Sequence, residues 1–242
     1  MRALACVLVV ITGCKGGGAG DDFPVISQGD DSEITPQPDA PAPLDAPAND
    51  GGNTFAGRVC VVLDLRNLTS CRDTGVAGIT VQLGTSTGVT LDDGTFTIPR
   101  PAGSNLTWAV TGADYVPSIM PLGTVHLIPA VSADLYDDLL DSNGVVLQEL
   151  QGSVVGRVIQ QAAALPGATV AATPPAQYPP LYDGGDSRIW AQNATGARGV
   201  FWLVGVPVGT SMVTVTSPST ATAALALPIV DGAITFTTVE FP

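Results

Sequence analysis

From Phe55 onward, the apolar residues of this chain come in short runs that alternate with polar ones. Ile79-Thr80-Val81-Gln82-Leu83 and Leu106-Thr107-Trp108-Ala109-Val110 each place every second side chain on one face. A period of two with one buried face is the pattern of a half-buried strand. Between these runs lies Leu91-Asp92-Asp93-Gly94-Thr95-Phe96-Thr97-Ile98, whose Asp-Gly step marks a tight turn joining two strands. Thr124-Val125-His126-Leu127-Ile128 closes the set, and comparable runs resume at 152–159, 168–170, 200–203, 212–216 and 234–239. With 28 glycines and 20 prolines in 242 residues, about a fifth of the chain favours turns over long helices. The expected class is all-β.

One segment breaks the rhythm. Across Ser132 to Asn143, Leu135 and Leu139 stand four apart, acids crowd the start, Ser132 is placed to cap and Gly144 to terminate. This predicts a short amphipathic helix of about three turns. Its acids, Asp134, Asp137, Asp138 and Asp141, lack the Asp-x-Asp-x-Asp-Gly spacing of a calcium loop and read as a solvated helix face.

The strand landmarks occur twice. The first set is Gly57-Arg58-Val59, Gly75-Val76-Ala77-Gly78-Ile79-Thr80-Val81, Asp92-Asp93-Gly94-Thr95-Phe96, the Trp108 run and Gly112-Ala113-Asp114-Tyr115. The second is Gly156-Arg157-Val158, Leu165-Pro166-Gly167-Ala168-Thr169-Val170, Thr195-Gly196-Ala197-Arg198-Gly199-Val200-Phe201 and Val206-Pro207-Val208-Gly209. Both sets resemble the carboxypeptidase-regulatory-like family of transthyretin-like, seven-stranded β-sandwiches, over roughly 55–128 and 152–240. The resemblance implies that the Gly-x-Phe step turns the chain and drops Phe96 and Phe201 into two cores. The expected architecture is two tandem immunoglobulin-like or transthyretin-like sandwiches, 54–129 and 151–242, joined by a helical linker at 130–150. Cna B-type domains share the rhythm but are locked by a Lys–Asn crosslink, and this chain has no lysine beyond Lys15.

Ahead of the strands lie two segments of other kinds. Met1 to Gly13 holds one arginine and a short apolar run, the length of a secretory h-region and too short to span a bilayer. It ends Ile11-Thr12-Gly13-Cys14, which resembles the bacterial lipoprotein box. The resemblance implies lipid on Cys14, cleavage after Gly13 and anchoring to a membrane, with several acyl chains supplying the affinity that one chain lacks. An ordinary signal peptide with Cys14 incidental is the plainer alternative. Lys15 follows the cysteine, without the Asp associated with inner-membrane retention, which favours the outer membrane. Residues 14–53 read as an acidic, proline-rich, disordered tether, with eight acids and one base between Lys15 and Asn53. Fully extended at ~3.1 Å per residue, it would reach on the order of 100 Å.

Of four cysteines, Cys6 leaves with the signal and Cys14 takes the lipid, so Cys60 and Cys71 remain as a candidate disulfide in an oxidising compartment. Two free thiols are the alternative, since spacing does not show that the Cα atoms approach.

A formal charge of −13 argues against a nucleic-acid partner, which needs clustered Lys and Arg. Gly84-Thr85-Ser86-Thr87-Gly88 fits G-x-S-x-G, with Asp93 and His126 following, but a nucleophile elbow needs a helix after it and here a strand follows. A single histidine leaves no His-based metal centre. No catalytic residue, metal site or cofactor is assigned. The sequons at Asn67, Asn105 and Asn193 read as turn chemistry. One segment stands out for binding: Thr173 to Ser187 interrupts the second unit with four prolines, Tyr178, Tyr182, Asp183 and Asp186. Its prolines bar a central strand, so it is expected to stand outside the sandwich with both tyrosines partly exposed, offering a protein or glycan ligand aromatic platforms and polar contacts. The plainer alternative has the tyrosines packing back on the sheet. The predicted role is a non-enzymatic envelope lipoprotein displaying structural or binding modules; the alternative is a carbohydrate-binding or accessory subunit of an envelope enzyme or transporter.

Overall fold

The computed structural model describes residues 53–122, 127–184, 190–191 and 193–242. Cys14, the tether, His126 and Asp186 lie outside the described residues.

The first half holds seven strands: β1 (Thr54–Val61), β2 (Thr80–Leu83), β3 (Ser86–Val89), β4 (Thr95–Pro99), β5 (Thr107–Gly112), β6 (Tyr115–Pro121) and β7 (Leu127–Ser132). β1 takes β4 antiparallel on one side and β7 parallel on the other. The remaining strands run antiparallel in the order β3-β2-β5-β6. The alternating side chains of both layers meet in one core of Val59, Val61, Ile79, Val81, Leu83, Phe96, Ile98, Trp108 and Val110. There Trp108 is met edge-on by Phe55 and Phe96, with ring centroids 6.0 and 5.7 Å away.

Helix α1 (Ala133–Ser142) follows, opened by Ser132, whose Oγ accepts the Leu135 N–H at 3.3 Å. Gly144 follows the helix at φ +64°, a left-handed conformation that glycine adopts without steric cost.

The second half holds β8 (Gln151–Gln160), β9 (Ala163–Ala164), β10 (Thr169–Thr173), β11 (Leu181–Tyr182), β12 (Val200–Pro207), β13 (Gly209–Thr216), β14 (Thr222–Ile229) and β15 (Ile234–Phe241). It repeats the plan of the first: β8 lies between antiparallel β12 and parallel β15, facing a sheet ordered β10-β13-β14. The molecule is therefore sandwich-like, mostly β, with one short helix among the described residues.

The repetition reaches individual hydrogen bonds. Gly57 pairs with Phe96 across β1 and β4, and Gly156 with Phe201 across β8 and β12. A Cβ on Gly156 would come within 2.1 Å of the Phe201 ring, so only glycine admits the phenyl group there. The Val59 N–H donates to the Gly94 carbonyl at 2.9 Å, and the Val158 N–H to the Gly199 carbonyl at 2.7 Å. A buried threonine brackets each turn. Thr90 Oγ1 donates to the Val76 carbonyl at 2.6 Å and accepts the Ile79 N–H at 3.0 Å. Thr195 Oγ1 donates to the Leu165 carbonyl at 2.8 Å and accepts the Ala168 N–H at 2.9 Å. Each hydroxyl is satisfied as donor and acceptor, which is what permits its burial.

The two halves do not interleave their strands. They meet edge to edge at one place, where β6 takes β15 in parallel through Ser118–Ile234 and Ile119–Thr235. A third core forms beside that joint. The outer face of β8, β12 and β15 (Val155, Trp202, Val204, Ile234 and Phe236) is covered by Tyr136 and Leu139 of α1, by Val116 and Val131 of the first half, and by Leu65. The helix is thus amphipathic as the spacing predicts, with its four acids exposed and its apolar side completing a core shared by both halves. Burial pushes the Tyr136 hydroxyl up to about 12, against the opposing effect of its hydrogen bond to Ser153.

Candidate functional site

The segment from Thr173 to Ser187 differs from its sequence-based expectation. It does not stand clear of the sandwich: Leu181 and Tyr182 form β11, which adds to β12 through Leu181–Trp202 and Tyr182–Phe201. Tyr182 is 3% exposed, not partly open. Its ring belongs to the core between the two sheets of the second half, the second core, with Val158, Phe201, Leu203, Val213 and Val215, and its hydroxyl accepts the Val170 N–H of β10 at 3.0 Å. Burial raises the pKa of that hydroxyl and so disfavours its ionisation, and the bond to Val170 works the other way. Prolines before Leu181 keep the approach out of the ladder, but they leave the two residues after them free to pair. Tyr178 is half-buried, and its hydroxyl both accepts the Val146 N–H at 3.0 Å and donates to the Val146 carbonyl at 3.1 Å. This pins the loop to the segment after α1.

Asp183 is also a structural residue. Its carboxylate accepts the backbone N–H groups of Gly196, Arg198 and Val200 at 2.6, 2.7 and 3.1 Å. The acid closes the Thr195–Gly199 turn and has little capacity left for a ligand. Of the four residues proposed from sequence to form a binding loop, the structure brings Tyr178, Tyr182 and Asp183 into contacts that hold the fold together.

Cys60 and Cys71 are joined by a disulfide with Cα atoms 5.1 Å apart. Sequence left this pair open; β1 and the returning chain close it through the Val62–Cys71 bridge, with Leu63 N–H donating to Ser70 carbonyl at 2.8 Å and Arg72 N–H to Val61 carbonyl at 2.8 Å. At the tip of the excursion, Asp64 accepts the Arg66 backbone N–H at 3.0 Å and the Arg66 guanidinium at 3.1 Å. From the second half, Arg198 Nη1 reaches the other oxygen of Asp64 at 2.9 Å. Between this excursion and α1 lies a cleft of about 320 Å³, bordered by Leu63, Asp64, Arg66, Leu135, Asp138 and Leu139.

Desolvation alone would raise the Asp64 carboxyl, but the side-chain and backbone bonds from Arg66 and the Arg198 guanidinium outweigh it and hold the group below the usual carboxylate range. A depressed folded-state pKa favours the folded state above the ordinary Asp value. That contribution disappears as pH falls through the lower, folded value. Melts between pH 7 and pH 3 are expected to show a stability loss in Asp64 that Asp64→Asn removes. The pair is partly solvated and screened, so the difference should be no more than about 1 kcal/mol. A variant with the full acid-side slope would show that Asp64 is not its source.

Gly84-Thr85-Ser86-Thr87-Gly88 spans the β2–β3 hairpin, with Leu83 opposite Ser86, so the strand-to-helix elbow of a serine hydrolase is not formed. Among the described residues no cluster of three His, Cys, Asp or Glu side chains is placed to hold a metal, and no helix is long and apolar enough to cross a membrane. Sequence reasoning passed over Trp190. It is buried, and its ring centroid lies 5.3 Å from that of Trp202. Its position beside a loop, not within an alternating run, gave no periodic signal.

No protein-family model and no curated protein matches the chain. Among solved structures it is similar to the Bacillus anthracis TIE protein, at 12% identity and a TM-score of 0.26, covering 78% of this chain and 34% of that one. It is similar to GBS52, the minor pilin of Streptococcus agalactiae, at 9% identity and a TM-score of 0.24, covering 78% and 95% of the two chains. A putative cell adhesion protein from Bacteroides ovatus matches at 9% identity and a TM-score of 0.23, covering 78% and 92%. At these scores the likeness adds nothing to the fold read from the strand registers, and no role is transferred from it.

Proposed function

We propose that this chain is a non-enzymatic cell-envelope lipoprotein whose β-sandwich unit is held off the membrane on an acidic tether. In this reading, Cys14 carries the lipid, residues 15–53 form the tether, and the strands from Thr54 onward are displayed as a structural module, with the outer membrane as the favoured site. The observation that carries it is the Cys60–Cys71 disulfide. A disulfide suits an oxidising compartment, so it supports export independently of the Ile-Thr-Gly-Cys box. The non-enzymatic part is supported by the hairpin at Ser86 and by the structural engagement of Asp183. The glycan-binding alternative has lost its best platform, because Tyr182 faces the core.

Metabolic labelling with palmitate tests the anchor. The wild-type chain should be labelled and sediment with membranes, whereas Cys14→Ala should lose the label and appear in the soluble fraction. A Cys14→Ala chain that still fractionates with membranes would overturn the lipid anchor.

A further inference from the structure

Strand β14 is the edge of the sheet β10-β13-β14, paired with β13 over all eight of its residues. On its other side it pairs with no strand among the described residues. The corresponding edge of the first half is covered. In the first half, the equivalent strand β6 takes β15 at Ser118 and Ile119. At the opposite edge of the same sheet, β10 donates the Val170 N–H to the buried Tyr182 hydroxyl. On β14 only the final turn is engaged, where Thr235 Oγ1 donates to the Pro228 carbonyl at 2.6 Å. Thr222 to Leu227 is left open.

Exposed edges are usually defended by lysine, inward-pointing charge, a bulge or proline. β14 reads Thr-Ala-Ala-Leu-Ala-Leu-Pro-Ile, its register against β13 runs without a bulge, and its one proline lies at the engaged end. Neither β10 nor β13 carries a charged residue, although the chain as a whole has a net charge of −13. The outward face is uncharged, with Thr169-Thr216-Thr222, Ala171-Thr214-Ala224 and Thr173-Met212-Ala226 in register. Two copies of so acidic a chain repel one another over most of their surface, and least where charge is missing.

We propose that a second copy of this chain docks here. The two β14 strands pair antiparallel about a two-fold axis at Ala224, joining two three-stranded sheets into one of six. A two-fold operator brings the same strand of each copy together and necessarily runs the two in opposite directions. The open main-chain groups then supply affinity, as in strand addition generally. The axis is placed at Ala224, a small, exposed side chain near the middle of the open stretch.

The test uses the full-length chain with Cys6→Ala and Cys14→Ala, which leaves the Cys60–Cys71 pair as its other cysteines and removes any lipid. Sedimentation at about 0.1 mM should give twice the chain mass. Adding Ala224→Cys should yield a dimer that is covalent until reduced. Adding Ala224→Lys should weaken association about tenfold or more, by placing like charges across the axis, while far-UV circular dichroism stays unchanged. If Ala224→Lys disturbs folding, the Ala224→Cys cross-link decides. A monomer at that concentration, a dimer indifferent to Ala224→Lys, or failure of the cross-link would each overturn the proposal. Slow amide exchange at 222–227 in a monomer would assign the edge to a segment of the same chain, such as Phe23 to Ile26, and would overturn it as well.

Discussion

Replacing Trp202 with alanine is expected to destabilise the protein by about 3–5 kcal/mol, the range for emptying a large aromatic site in a close-packed core. Trp202 is fully buried on β12 and pairs with Leu181. Its ring centroid lies 5.3 Å from that of Trp190 and 5.9 Å from that of Tyr136. These contacts are the centre of the third core, so the loss should also loosen the helix. Amide exchange over Ala133–Ser142 should accelerate more than exchange in β1, none of whose residues belongs to this cluster. The indole Nε1 is buried without a hydrogen-bond partner. Trp202→Phe, which removes that donor and keeps most of the apolar contact, should therefore cost much less than alanine. Urea unfolding followed by circular dichroism measures both. A Trp202→Ala variant within about 1 kcal/mol of the parent would mean that the helix and the first half do not depend on this packing.

The strands, the turns and the helix were legible because each carries a local signal. Alternation marked β2 and β5, the Gly-x-Phe steps marked β4 and β12, and Ser132 with Leu135 and Leu139 marked α1. The third core left a quieter trace. Val200-Phe201-Trp202-Leu203-Val204 has no polar residue in alternate positions, the pattern of a strand buried on both faces. One sandwich core can bury one of those faces; the other requires a second layer, which α1 and the first half provide. The loop was misjudged for a related reason. Prolines at 174, 175, 179 and 180 do exclude a central strand, but a two-residue edge strand fits immediately behind them. Nothing local to Tyr182 signals that its hydroxyl meets Val170. The threonine brackets were equally silent, since the partners of Thr90 and Thr195 lie 14 and 30 residues away.

Removing the disulfide is the second large effect. On the chain-entropy account, opening a loop with a sequence separation of 11 should destabilise the first half by about 2–3 kcal/mol. The paired change Cys60→Ala and Cys71→Ser tests this without leaving a buried lone thiol. Leu65, fully buried within the bridged excursion, ties that loop to the third core, so part of the excursion should stay docked after the bridge is lost. Urea midpoints of the parent with and without reductant should differ by the same amount as parent and double variant. Equal midpoints, or two alkylatable thiols in the unreduced parent, would remove the disulfide from the account of stability.

The parallel pairing of first and last strands has a mechanical consequence. A molecule held at one end and loaded at the other pulls the start of β1 away from the end of β7, and the start of β8 away from the end of β15. In a parallel pair those forces act along the strands, so the cross-strand bonds are sheared together and not peeled one after another. Eight residue pairs share the load between β8 and β15, but only four between β1 and β7. Under tension the first half is the weaker link. The Cys60–Cys71 bridge then limits how much chain that half releases, since the residues enclosed between the two sulfurs cannot be drawn out.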